Sequence, residues 1–163
     1  MRKITDDNSL HRNLNNLAID DQRLLGAQFV NCVADLTQDQ VLLDAIQTAI
    51  TPNASPSSRL NAYKNAKSIA IKTYTSCGRD TDWLTQAEHF VAAGCAAALT
   101  PEDNLSEHVN TAWRAAMQAR MARNCAMIEA DDIGEGNENQ RQYQLTEEFL
   151  GSLPQTTAGA QAG

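Results

Sequence analysis

An all-α fold, a single domain of about six helices packed around a long alanine-rich central helix, is predicted by three observations. The stretch Leu105 to Ala130, LSEHVNTAWRAAMQARMARNCAMIEA, is one uninterrupted helical pattern. Between the helical patterns there is no alternating β-branched run of the kind that builds strands. Aromatic residues make up only 5% of the chain, so the core must come from Leu, Ala, Ile, Val and Met, which suit close helix packing better than a β-sandwich. With 163 residues, 42% of them hydrophobic and 20% charged, the chain is long and apolar enough for one domain with a real core. That domain is expected over residues 1–154, with residues 155–163 as a flexible tail of small side chains.

The elements follow in order. Leu10, Leu14 and Leu17, at helical steps after Asp7 or Asn8, predict a short first helix. Asp20 is placed to cap a second, with Leu25, Phe29, Cys32, Val33 and Leu36 on one face. Thr37 and Asp39 restart the chain in a helix that buries Leu42, Ala45, Ile46 and Ala49 and cannot simply continue past Pro52. Ser55-Pro56 supplies a cap and a proline at the first helical position, launching a helix that turns Leu60, Tyr63, Ala66, Ala70 and Tyr74 to the core. After the break at Gly78 and Asp80, the segment Thr81 to Leu99 aligns Trp83, Leu84, Ala87, Val91, Gly94, Cys95 and Ala98, and should lie antiparallel to the central helix.

Thr100, Pro101 and Asp103 have the spacing of a helix start, either of the central helix or of a separate turn. In the central helix the stripe runs through Val109, Ala112, Trp113, Ala116, Met117, Arg120, Met121, Asn124, Met127 and Ile128. Trp113, Met117 and Met121 are its expected anchors, and the many alanines let neighbours approach closely on more than one side. IGEGNENQ is a connection, followed by a last helix with Tyr143, Leu145, Phe149, Leu150 and Leu153 that Pro154 ends.

Composition and motifs exclude several functions. No apolar run approaches the roughly 20 residues needed to span a bilayer, and MRKITDDNSL lacks the apolar stretch of a secretion signal, so a soluble cytoplasmic protein with no membrane partner is expected. Cys32, Cys77, Cys95 and Cys125 are too widely spaced for a zinc motif and are expected as free, mostly buried thiols. No GxSxG, GxxxxGK[ST] or GxGxxG motif is present, and the register around Gly134 and Gly136 does not make a calcium loop. No cofactor, metal or catalytic residue is therefore assigned, and the chain is not expected to be an enzyme.

Glu88-His89 and Glu107-His108 occupy similar places in two adjacent helical segments. Sequence neighbours on a helix point about 100° apart, so these are not the ExxH pairs of di-iron bundles, and surface or hydrogen-bonded histidines are expected. Arg114, Arg120 and Arg123 form a basic face, of which Arg120 and Arg123 should pair with acidic neighbours.

The net charge of −7 is concentrated. Glu129, Asp131, Asp132, Glu135, Glu138, Glu147 and Glu148 stand against Arg141 alone between Glu129 and Glu148, leaving the rest of the chain nearly neutral. Such a patch disfavours nucleic acid and favours a basic protein or a cationic ligand. Glu129, Asp131 and Asp132 also sit at the helix end where the dipole prefers cations, which marks either a solvated terminus or a binding surface.

The order of features resembles a family of small all-α immunity proteins, which have an early RxLxxxAxxCVxxL-like helix, alanine-rich middle helices and a terminal helix ending in LP. The matching stretches are Arg23 to Leu36 with Cys32, Arg59 to Ala70, Ala112 to Ala130, and Gln140 to Pro154. Where that family often has a histidine after the alanines of the long helix, this chain has Asn124 and Cys125, so no site residue is carried over. The resemblance implies a non-enzymatic cytoplasmic inhibitor of a toxin, and a basic, nuclease-like toxin would suit the acidic patch Glu129, Asp131, Asp132, Glu135 and Glu138. Two alternatives stand beside it. One is a small-molecule binder for a cationic or apolar ligand, in a pocket near Trp113, Met117, Met121 and Trp83. The other is a homodimer joined through the alanine-rich helix face.

Overall fold

The computed structural model describes residues 3–74, 82–106, 108–131 and 137–154. Within them the chain forms seven α-helices and no strand: α1 (Asp7–Asn15), α2 (Ile19–Asn31), α3 (Gln40–Ala49), α4 (Pro56–Thr73), α5 (Trp83–Leu99), α6 (Thr111–Glu129) and α7 (Glu138–Ser152). Short 3-10 turns lie at Ala34–Leu36 and Glu102–Asn104. There is one helix more than expected, because every patterned segment, the short N-terminal one included, is a helix of its own. No described helix is long and apolar enough to cross a membrane. The tail, residues 155–163, lies outside the described residues.

Local chemistry sets most helix starts. Side-chain oxygens of Asp6, Asp39, Ser55, Asp82 and Asn110 accept hydrogen bonds from amides two or three residues on, satisfying donors that the helix leaves unpaired. Asp39 and Ser55-Pro56 act as their sequence context indicates. Two starts differ from expectation. Asp6, not Asp7 or Asn8, caps α1. Helix α2 begins at Ile19 behind Ala18, which makes no side-chain cap, and Asp20 sits in the first turn paired with Arg23 at 3.1 Å. An acid there still complements the helix dipole.

The central helix is shorter than its pattern. Asn110 caps it at Thr111, and the Thr100–Pro101–Asp103 signal belongs to the separate 3-10 turn. Helix α6 therefore runs about 28 Å, where the full pattern would run about 40 Å at 1.5 Å per residue.

Helix α6 packs most extensively on α5, and α4 on α5 and α2 on α6 follow. Its buried face is not the stripe of large residues. Thr111, Ala112, Ala115, Ala116, Ala119, Ala122 and Cys125 are buried, whereas Trp113 and Met117 are half-buried and Met121 is 45% exposed. Backbone proximity explains the inversion. A Cβ placed on Gly26 of α2 would lie 3.2 Å from Ala112 Cα and 3.2 Å from Ala115 Cβ; one on Gly94 of α5 would lie 3.3 Å from Gln118 Cβ and 3.0 Å from Val30 Cγ2. At that separation only methyl-sized side chains fit, so the bulky residues of α6 stand at the rim. The same holds for α4, which buries Ala62, Ala66 and Ile69 and leaves Leu60 and Tyr74 exposed. On α5, Ala87, Val91, Gly94, Cys95 and Ala98 are buried, while Leu84 is exposed and Trp83 half-buried.

Helix α6 also divides the core. Ala115, Ala119 and Ala122 join a cluster with Val30 and Val33, Leu42, Ala45 and Ile46 of α3, Ala62 and Ala66 of α4, and Val91 and Cys95 of α5. Ala112 and Ala116 face a second cluster of Ile4, Leu10, Leu14, Leu17, Leu25, Phe29, Tyr143 and Phe149, which ties α1, α2 and α7 together.

Candidate functional site

The five carboxylates that sequence groups into one patch do not share one environment. Glu129 and Asp131 are exposed at the C-terminal end of α6. Asp131 has φ 52°, and its amide donates to Ile128 O at 3.1 Å while that of Ala130 donates to Ala126 O at 3.0 Å. Aspartate enters the left-handed region more readily than most residues, so Asp131 also serves to end the helix. Asp132 and Glu135 lie outside the described residues. Glu138 departs from the expected patch: it is 5% exposed and points inward. Its Oε1 accepts from Arg123 Nε at 3.3 Å and lies 3.6 Å from Arg141 Nη1, and its buried Oε2 has no partner among the described residues. A carboxylate taken from water is held by paired cations, and it is not available to a partner.

The cations of α6 are mostly turned to internal use. Arg120 donates to both oxygens of Asp7, at 2.8 and 3.0 Å, and through Nε to Gln142 Oε1 at 2.8 Å. Gln142 Nε2 in turn donates to Ala116 O, and Tyr143 donates to Asp7 Oδ1 at 2.7 Å. The hydrogen bond from Arg120 holds the Asp7 carboxyl below its ordinary pKa, and burial raises that of the Tyr143 phenol. Arg123 donates to both oxygens of Asp35, at 2.9 and 3.2 Å, and to Cys32 O at 3.0 Å. The expected arginine–carboxylate pairing is present. Its partners Asp7 and Asp35 carry no local signal in sequence, because they lie on α1 and next to α2, far from α6 along the chain. Gln142 and Thr146, polar and spaced four apart on the buried side of α7, are the one available hint of this network.

His89 and His108 have different surroundings. His89 Nδ1 lies 2.7 Å from Ala70 O, which can only accept, so this nitrogen carries the proton and caps the last turn of α4. His108 is exposed, and Glu88 accepts from Thr37 Oγ1 at 2.6 Å. No group of three His, Cys, Asp or Glu side chains among the described residues could hold a metal ion. Cys32 is half-buried and a free thiol, as is the buried Cys95; Cys125 is buried, and Cys77 lies outside the described residues. Burial pushes the Cys95 thiol up to about 12, which keeps it protonated and unreactive.

The four residues Trp113, Met117, Met121 and Trp83, expected to line a pocket, have different surroundings. Trp113 stacks on His11 with ring centroids 4.4 Å apart, and Met117 packs on the leucine-rich cluster. Met121 projects outward and Trp83 begins α5. Ala112, Ala115, Ala116, Ala119 and Ala122 are fully buried against neighbouring helices.

A groove of about 710 Å³ lies instead over the outer face of α5. None of those four residues lines it. Tyr63, Lys67, Ala70, Ile71 and Tyr74 of α4 form one wall, Arg114 and Gln118 of α6 the other, and Ala93, Ala96 and Ala97 of α5 the floor, with His89, Thr100 and Asn104 completing it. It exists because α4 and α6 each pack on α5 but hardly on each other, and because the α5 side chains between them are methyl groups. No family model, curated protein or solved structure matches this chain.

Proposed function

We propose that this chain is a non-enzymatic, cytoplasmic binding protein that neutralises a basic toxin, in the manner of the small all-α immunity proteins its helices resemble. The observation that carries this reading is the uncompensated acidic end of α6. Glu129 and Asp131 are exposed there with no ion-pair partner among the described residues, while Arg120 and Arg123 of the same helix are neutralised by Asp7, Asp35 and Glu138. The chain continues directly into Asp132 and Glu135. Negative charge at a helix C-terminus works against the dipole by a few tenths of a kcal/mol per group, and a basic partner would relieve that repulsion. It would also be steered toward the site by the field.

The test is capture of a basic partner from a native-host lysate at low and high salt, with bound proteins identified by mass spectrometry. A variant with Glu129, Asp131, Asp132 and Glu135 all changed to Lys is run beside it. A basic nuclease-like protein held at low salt, released at high salt and lost with the variant supports the reading. Equal capture by the variant contradicts it.

A further inference from the structure

We infer that the groove between α4, α5 and α6 is a binding site for a small organic anion with a flat apolar body. It is separate from the acidic end of α6, since Arg114 and Glu129 are about 22 Å apart along the helix axis at 1.5 Å per residue.

The charge of the lining is the first argument. In a chain of net charge −7, the described residues around this groove include Lys67, Arg114 and His89 and no carboxylate. Arg114 is exposed and has no hydrogen-bond or ion-pair partner among the described residues, in contrast to Arg120 and Arg123 on the same helix. Lys67 is engaged only by a neutral group: its Nζ lies 3.3 Å from Tyr63 Oη and 5.6 Å from the centre of that ring. Two cations on facing walls, α4 and α6, are thus both without a carboxylate partner among the described residues. An anion would meet charge-assisted donors from both sides.

Shape is the second argument. The floor of Ala93, Ala96 and Ala97 offers a flat apolar strip, and Tyr74 stands edge-on to His89 with centroids 5.7 Å apart at one end. His89 uses Nδ1 to bind Ala70 O, so Nε2 is the ring nitrogen left over for a ligand. A groove of about 710 Å³ is in the size range of small-molecule sites, which are mostly apolar with a few placed polar groups. A ring lying on the alanines, with its acidic head between Lys67 and Arg114, uses each of these features.

The experiment is calorimetric titration with 1-naphthyl phosphate and 1-naphthoate, beside neutral 1-naphthalenemethanol and cationic 1-naphthylmethylammonium. Amide NMR shifts of Ala93, Ala96 and Ala97 report the location. The phosphate and carboxylate arms tell which acidic head is preferred. Saturable binding of at least one anion, at least about tenfold tighter than the alcohol and the ammonium compound, with shifts on the α5 floor, is expected. Lys67→Gln/Arg114→Gln, both at exposed positions, should weaken the anion about tenfold or more while leaving the thermal midpoint unchanged. The inference is overturned by any of three results: no saturable anion binding at millimolar concentration, equal binding of the neutral or cationic compound, or unchanged anion affinity in the double variant.

Discussion

On one side of α6 the helices meet backbone to backbone, with Ala115, Ala119 and Ala122 lying against α2 and α5 at Gly26 and Gly94. On the other, Leu10, Leu14, Leu25 and Phe29 fill the space, and Arg120 reaches out to Asp7 on α1. One helix thus takes part in two kinds of packing. Where contact comes from proximity, there is no side chain to truncate but also no room to enlarge. Where contact comes from bulk, truncation leaves a cavity. A polar network lies on this second side: Arg120 and Tyr143 donate to Asp7, Gln142 accepts from Arg120, and the amide of Ile4 donates to Glu147 at 2.8 Å. On the first side, Ala115 makes its contact with α2 and α5 through closeness of the backbones.

The comparison breaks most visibly at its largest residues. Phe29→Ala should destabilise by about 3–5 kcal/mol in denaturant unfolding, because a fully buried ring is removed from the leucine-rich side. On the alanine side the direction reverses. Ala115→Leu should cost about 1–3 kcal/mol by overpacking against α2 and α5, and Ala115→Gly on the order of 1 kcal/mol from helix propensity. If enlargement at Ala115 is tolerated, the close approach of the helices is not what holds that side.

A smaller effect sharpens the polar half. Arg120→Gln should cost about 1 kcal/mol, since Asp7 is partly solvated and Gln142 loses a donor. It should also change the acid response. The folded-state pKa of Asp7 is lowered, so its contribution is present above the unfolded value near 3.8 and is lost as pH falls through the lower folded value. Wild type should therefore lose this stability below about pH 4, and Arg120→Gln should lose less of it over the same range. Equal acid sensitivity of the two proteins would count against the Asp7–Arg120 pair. The smallest effect concerns Cys95, whose buried thiol should react with a thiol reagent only after unfolding, whereas Cys32, half-buried, should label earlier.

How much of this was legible in the sequence depends on distance along the chain. Asp39, Ser55-Pro56 and the Leu42, Ala45, Ile46, Ala49 face are local signals, and the structure follows them. The buried face of α6 differs from its apolar stripe because hydrophobic periodicity ranks side chains by size. It sees Trp113, Met117 and Met121, whereas the value of Ala115 arises only when Gly26 and Gly94 are brought alongside. Glu138 looks like its acidic neighbours in sequence for the same reason: its inward turn depends on Arg123, one helix away. The groove joins Lys67 to Arg114 across three helices, and nothing in either segment alone announces it.

The most direct measurement is the association rate of a captured basic partner, at low and high salt, with wild type, Glu129→Lys/Asp131→Lys and Glu138→Gln. The account predicts that reversal of the exposed pair slows association at least about tenfold and removes most of its salt dependence. Glu138→Gln should lower stability but leave the rate of the folded protein unchanged. Binding that survives reversal of the exposed pair, or that is lost in a folded Glu138→Gln protein, would contradict it.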